Sequence, residues 1–352
     1  MTTALVAVFL SLFNLHLHAN LVSDQCRESA MSSAIRIACG ITLCASLAQA
    51  HAATPLEHFG TCDASAAIAV GADLFLVGDD ENQKLRLYRR DRSGPALPDA
   101  FDISAFLQMK PGDEADIEGA AQIGKRIYWI SSHAYHAEPE KKHMRRQFFA
   151  TDIDITQDKV KLTPVGASYT RLLDAMGKAL QDASEIAAET KGGLNIEGLA
   201  ATPEGHLLIG FRGPVKDKQA LILRLQNPAA VVEQQAKPVF GPPVSLPLNG
   251  SGIRSIEYVA KLGAYLIIAG PEESEGAFKL YQWSGQDKAA PQLLPVALPA
   301  GLRPEALFAL PDGKTLQLLS DDGDEFIGDK KCKKSKPAEQ RKFRSFTITL
   351  PK

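Results

Sequence analysis

A chain of 352 residues with 45% hydrophobic and 23% charged side chains has an ordinary globular composition. Its formal net charge of −2 argues against nucleic acid or an anionic membrane as a partner. The length suggests two domains, although large all-β folds reach this size as one unit.

The first stretch reads as a leader. From Met31 the chain runs Met-Ser-Ser-Ala-Ile-Arg36, then an apolar segment from Ile37 to Leu47, then Ala48-Gln49-Ala50. A basic start, a short apolar middle and an A-x-A site make a secretory signal, with cleavage expected after Ala50 or Ala52. The apolar segment is too short to span a bilayer comfortably. An earlier apolar run, Ala4 to Leu15, has no basic start, so Met31 is expected to be the true first residue, with a longer leader as the alternative. Residues 1–52 are therefore assigned to the leader. Residues 53–352 are expected to form one periplasmic or secreted domain, monomeric and without a membrane span. Of five cysteines, Cys26, Cys39 and Cys44 fall in the leader. The remaining pair, Cys62 and Cys332, reads as a disulfide in an exported chain, with two free thiols as the alternative.

Beyond the leader the chain repeats itself, and a fixed internal echo signals repeat architecture. The copies run Ser65 to Asp80, Glu118 to His133, Glu197 to Arg212, Glu257 to Glu272 and Glu305 to Asp322. Each passes from a short opening segment through a turn into an apolar run and a polar tip. The apolar runs are Leu74–Val77, Ile127–Ile130, Leu207–Ile209, Tyr265–Ala269 and Leu316–Leu319, bounded by turn residues as strands are. A third strand follows at Lys84–Arg89, Gln147–Ile153, Ala220–Leu225, Ala277–Trp283 and Phe343–Leu350. Weaker fourth strands are predicted at Ala100–Ile103, Val160–Val165, Val244–Leu248 and Leu293–Leu298.

Four short antiparallel strands repeated radially make a β-propeller blade. The predicted fold is all-β, a propeller of five four-stranded blades, or six if residues 140–195 contain another sheet. The fifth unit lacks its outer strand, and Pro55 to Cys62 is free to supply it. An N-terminal strand would then close the ring and remove a bare sheet edge, with Cys62–Cys332 as its staple. Between the second and third units, Leu172, Leu173, Met176, Leu180, Ala183 and Ala187 recur at helical spacing. An amphipathic helix is predicted over about 168–190, capped by Ser168 or Thr170, ended by Gly192-Gly193, and filling a groove or covering a mouth.

The chemistry-bearing residues begin with an absence. There is no P-loop, G-x-G-x-x-G after a strand, H-E-x-x-H or G-x-S-x-G elbow. Glu118, Glu197, Glu257 and Glu305 open four of the five units and are expected to face the axial channel. Converging carboxylates repel unless cations sit among them, so the four are a candidate set for Ca²⁺, an ion that prefers hard oxygen ligands. The alternative is that each accepts backbone N–H bonds and holds the ring together. The polar tips would bring Arg212 and His133 among acids at one mouth. Asp321-Asp322-Gly323-Asp324-Glu325 is oxygen-rich but lacks EF-hand spacing, leaving a Ca²⁺ loop or an acidic turn. The insertion after His133 carries His136, Lys141, Lys142, His143, Arg145 and Arg146. Its arginines suit phosphate or carboxylate recognition, against the alternative of a solvated basic loop. Its histidines match no standard zinc spacing.

The line Asp116-x-Glu118-Gly119 … Tyr128-Trp129-Ile130-x-Ser132-His133 … Arg145-Arg146-x-x-Phe149-Ala150 resembles the exported bacterial propellers of domain of unknown function 3616. So does Leu194-Asn195-Ile196-Glu197-Gly198-Leu199-Ala200 … Ile209-Gly210-Phe211-Arg212-Gly213-Pro214 … Ala220-Leu221-Ile222. Where that family tends to place Gly before Ser-His, this chain has Ser131. The resemblance spans nearly all residues after about Thr54 and implies a propeller and export, with no substrate. The Ile-Glu-Gly-Leu-Ala segment is also similar to propellers with esterase-like activity of phytase. Three functions follow as expectations: a propeller binding a small anionic ligand or envelope partner at its mouth, a Ca²⁺-dependent hydrolase of phosphate or carboxylic esters, or a structural envelope protein.

Overall fold

The computed structural model describes residues 54–350 apart from 99, 157–158 and 274–275. The expected leader lies outside the described residues. Among those described, no helix is long and apolar enough to cross a membrane.

Five antiparallel sheets form a five-bladed β-propeller. Blade 1 comprises Ala66–Val70, Leu74–Gly78, Lys84–Arg89 and Phe101–Asp102; blade 2 comprises Ile117–Ile123, Arg126–Ser131, Phe148–Thr156 and Lys159–Tyr169. Blade 3 uses Asn195–Ala201, Leu207–Gly213, Ala220–Leu225 and Val244–Leu246. Blade 4 uses Gly252–Val259, Ala264–Gly270, Lys279–Trp283 and Gln292–Leu293. Blade 5 takes Pro304–Ala309, Thr315–Ser320 and Lys342–Thr349 from the end of the chain and Leu56–Phe59 from its beginning. Leu56 pairs with Ser345 and Phe59 with Lys342, antiparallel, so the N-terminal strand closes the ring. Gly94–Pro95 adds a short parallel fifth strand outside it. Among the described residues, the stretch over 140–195 holds the third and outer strands of blade 2 and helices, with no further sheet, which decides for five blades over six.

The second strands are continuous apolar runs because both faces of every blade are covered by a neighbour. Leu207–Gly213 and Ala264–Gly270 are buried along their whole length. Apolar burial divides accordingly into five clusters, one at each blade–blade junction. At the closing junction Phe75 and Tyr88 of blade 1 meet Phe308 and Phe343 of blade 5. His58 of the N-terminal strand stacks on Phe343 and bonds Ser345 Oγ at 2.8 Å. Burial lowers its imidazole to about 4, so it packs there as a neutral ring.

The insert is helical as predicted but divided. Leu172–Ala175 and Lys178–Ala183 are separate short helices, broken at Gly177, whose φ of 96° lies outside the helical region. Ser168, expected as a cap, instead lies in the outer strand of blade 2. Leu172, Leu173, Met176, Leu180 and Ala183 join the cluster between blades 2 and 3, so the insert fills a groove. A third helix, Pro228–Gln234, was not among the expected elements, although Asn227-Pro228 is a helix-start signal, and it buries Val231 and Val232 in the same cluster.

Cys62 and Cys332 form the disulfide, bridging 270 residues of chain. Replacing both by Ser is expected to lower unfolding free energy by about 2–5 kcal/mol in denaturant titrations, because the link restricts the unfolded ensemble. A Cβ added to Gly119 would lie 2.9 Å from Leu199 Cβ on the adjacent inner strand. Gly119→Ala should therefore destabilise by about 1–3 kcal/mol through overpacking at the hub.

Candidate binding site at the channel mouth

The inner strands are irregular at one shared level. In blade 2, Ile117 pairs with Ser131 but Gly119 pairs with Ile130, so Glu118 is an extra residue, a β-bulge. The same shift isolates Glu197 in blade 3, Arg254 in blade 4 and Glu305 in blade 5. Blade 1 reaches this level at Ser65, just before Ala66 pairs with Gly78. A bulge turns its unpaired side chain out of the ladder. Here it faces the axis, and the glycine after Glu118 and Glu197 lets the next inner strand approach.

The ring at this level is thus Ser65, Glu118, Glu197, Arg254 and Glu305. Glu257 is not a member, which corrects the four-glutamate set. Hairpin lengths differ between blades, Ile123 pairing with Arg126 but Val259 with Ala264. An alignment on glutamate identity therefore lands three residues beyond Arg254. Glu257 sits opposite Leu266, partly buried, and no charged group contributes to its upward shift.

Two further levels stack above the ring. Two residues earlier on each inner strand stand Asp63, Asp116, Asn195, Gly252 and Arg303. At or just beyond the ends of the second strands stand Asp80, Ser132, Arg212, Gly270 and Asp321; Gly252 pairs with Gly270, and Asp63 forms a backbone β-bridge with Asp321. All residues of these levels except Ser65, Ser132, Gly252 and Gly270 line a cavity of about 440 Å³ at one mouth, with eleven carboxylates and six cationic side chains on its walls. Asp63, Arg254 and Arg303 were not foreseen. The signal that would have found them is the two-residue step shared by Asp116-Ile117-Glu118 and Asn195-Ile196-Glu197.

Charge is divided unequally around this mouth. Arg254, 4% exposed, places Nε 2.8 Å from Glu197 Oε2 and pairs through Nη2 with Glu305 Oε1. Arg212 donates to Glu197 at 3.1 Å and to the carbonyls of Glu272 and Glu273 at 2.9 and 3.2 Å, which engages three of its five N–H groups. Ser65 donates to Glu305 at 3.4 Å. Burial pushes Glu305 up to about 8 even though Arg254 opposes the shift. On the opposite wall Glu118 is 7% exposed, and its buried Oε2 has no partner among the described residues. Asp80 Oδ1 and Asp63 Oδ2 are likewise buried without partners. Burial, then the charges of Glu197 and Asp116, hold Glu118 well above the usual carboxylate range. Burial and Asp321 push Asp63 up to about 10. Asp116 is better supported, accepting from Ser132 Oγ and facing Arg145 Nη1 at 3.6 Å.

The other expected residues separate. Arg145 lines the cavity and donates to Glu114 at 3.0 Å. Arg146 does not line it and reaches Ser184 Oγ at 3.4 Å. His133 is fully buried outside the cavity wall, with Nδ1 2.9 Å from the Ser131 carbonyl, and burial lowers its imidazole to about 4. The 321–325 segment is an acidic turn: Asp322 is clasped by Arg344 at 2.7 and 2.8 Å, and Asp324 pairs with Lys331 and Lys333 at 3.0 Å.

The family described as Protein of unknown function (DUF3616) matches residues 63–173 and 154–317. No curated protein matches the chain. Among solved structures, a protein of unknown function from Bacteroides caccae is similar at 14% identity and a TM-score of 0.33, over 72% of this chain and 67% of that one. A protein from Lactobacillus plantarum is similar at 10% identity and a TM-score of 0.32, over 72% and 63%. Virginiamycin B lyase from Staphylococcus aureus is similar at 11% identity and a TM-score of 0.33, over 77% and 69%. The matched part thus spans roughly two thirds of the length of each of these structures.

Desolvation lifts the Glu257 carboxyl from 4.5 to about 8. An acid with a raised folded pKa contributes stability that is present below its unfolded pKa and lost as pH rises through the folded one. Glu257→Gln should therefore melt a few degrees above wild type near pH 9, with the gap closing toward pH 5 in thermal scans.

Proposed function

From the premise that the chain belongs to the family described as Protein of unknown function (DUF3616), we propose that it is an exported binding propeller whose mouth takes a small ligand carrying positive charge. The observation behind this reading is that Asp63, Asp80 and Glu118 face one cavity, each with a buried oxygen unpartnered among the described residues. A buried carboxylate must gain a proton, a hydrogen bond or a cation, and a ligand cation supplies what the walls lack. Export rests on the leader composition and agrees with the Cys62–Cys332 bridge, since disulfides persist in oxidising compartments.

An anionic ligand is less well served by these walls. Arg212 is drawn to Glu197 and two carbonyls through three of its N–H groups, Arg146 lies off the cavity, and His133 is buried as a neutral ring. The hydrolase expectation required a metal held by four glutamates. Glu197 and Glu305 are instead neutralised by Arg254, and Glu257 lies elsewhere. The Ile196–Ala200 segment that suggested a phytase-like kinship is accounted for by the bulge at Glu197 and the close packing at Gly198.

Thermal melts in chelator at low ionic strength, with choline, putrescine and spermidine set against citrate and phosphate, test the reading. The amines are expected to raise Tm in order of charge, and added salt to erode the effect. Stabilisation by the anions, or by none of the amines, overturns it.

A further inference from the structure

We infer that Asp80, Asp116 and Glu118 form a binding site for a hard divalent cation, with Ca²⁺ the best fit, on the wall where blades 1 and 2 meet. This rests on the reading of the mouth as a cation site and names the ion. One carboxylate oxygen from each of the three lies within 4.8 Å of the other two. Two oxygens on one Ca²⁺ sphere, each about 2.4 Å from the ion, are separated by at most about that distance.

Acid clusters are common without ions, so the second observation matters more. Glu118 is 93% buried by its 7% exposure, lines the cavity, and has neither an ion pair nor a hydrogen bond to its buried Oε2 among the described residues. The nearest arginine at its own level, Arg254, is committed to Glu197 and Glu305. Asp80 adds a second unpartnered buried oxygen.

The charges balance as well. Three carboxylates face one guanidinium, Arg145, which stands 3.6 Å from Asp116 and also holds Glu114. The site itself is thus left with about two negative charges, which a divalent ion neutralises without drawing on another side chain. The ligands are held in place by the fold. Asp116 Oδ2 is fixed by Ser132 Oγ, and the Asp116 amide donates to the Asp80 carbonyl at 3.2 Å across the blade junction. Three protein oxygens leave roughly three to five positions of a Ca²⁺ sphere for water and ligand oxygens. They would open toward the 440 Å³ cavity.

The experiment is calorimetric titration and thermal melting of the chelator-treated full domain with CaCl₂, alongside MgCl₂ and spermidine. Wild type, Glu118→Gln, Asp80→Asn and Glu257→Gln are compared. Ca²⁺ is expected to bind wild type and Glu257→Gln alike and to raise their Tm, and to bind Glu118→Gln and Asp80→Asn at least about tenfold more weakly. Without Ca²⁺ the Glu118→Gln variant should melt no lower than wild type, since burial and the charges of Glu197, Asp116 and Glu305 outweigh the attraction to Arg254 that it loses, so weak binding cannot be ascribed to misfolding. No Ca²⁺ binding by wild type, or equal binding by all four proteins, overturns the inference. If Ca²⁺ fails while spermidine still stabilises, the metal site alone is wrong; if both fail, the cation-binding mouth goes with it.

Discussion

The hub of the molecule turns on one guanidinium. Arg254 enters the ring from blade 4 and meets Glu197 of blade 3 on one side and Glu305 of blade 5 on the other. Buried charges survive only when paired, and removing one partner from such a group costs far more than a surface ion pair contributes. The five-fold geometry sets how far this neutralisation extends. Arg254 serves its two adjacent blades, while Ser65 of blade 1 hydrogen-bonds onward to Glu305. Glu118 of blade 2 is beyond both, and the uncompensated charge collects at the junction of blades 1 and 2.

Ring closure and the mouth are coupled by position. The N-terminal strand ends at Phe59, and Cys62 lies immediately before Asp63, which lines the cavity. Cys332 lies immediately before Lys333, which lines the same cavity. The disulfide that closes the ring therefore also fixes two wall segments drawn from opposite ends of the chain. Asp79 and Asp322 support the same region from behind. Asp79 is saturated by Thr61, Asn82 and Arg86, and Asp322 by Arg344 and Ser320. Beside these satisfied acids, the unpartnered oxygens of Asp63, Asp80 and Glu118 differ in kind and not merely in number.

Much of this was written locally. Apolar runs such as Tyr265–Ala269 are buried from end to end, and their recurrence alone identified the blades. The free segment Pro55 to Cys62 and the missing outer strand of the last unit predicted the closure that Leu56–Phe59 makes. The pairing of Cys62 with Cys332 followed from their places near the two ends. The insert was legible as apolar at helical spacing, but Gly177 divides it because a positive φ ends a helix whatever the flanking pattern.

The ring of charges was not legible in the same way. Glu118, Glu197 and Glu305 were found because they share a residue type, and Glu257 was added for the same reason. Membership is decided by strand register, and a single bulge with an uneven hairpin moves the equivalent position to Arg254. Nor does residue type tell which acids lie beside an arginine, since that depends on which residue the bulge sets at the ring level in each neighbouring blade. Strand patterning is a property of a few consecutive residues, so the sequence by itself determined the repeating blades and how the ring closes, while the choice of five blades over six came from the structure. The charge balance at the mouth sums side chains from five distant segments, and only the tertiary structure decided where it came out negative.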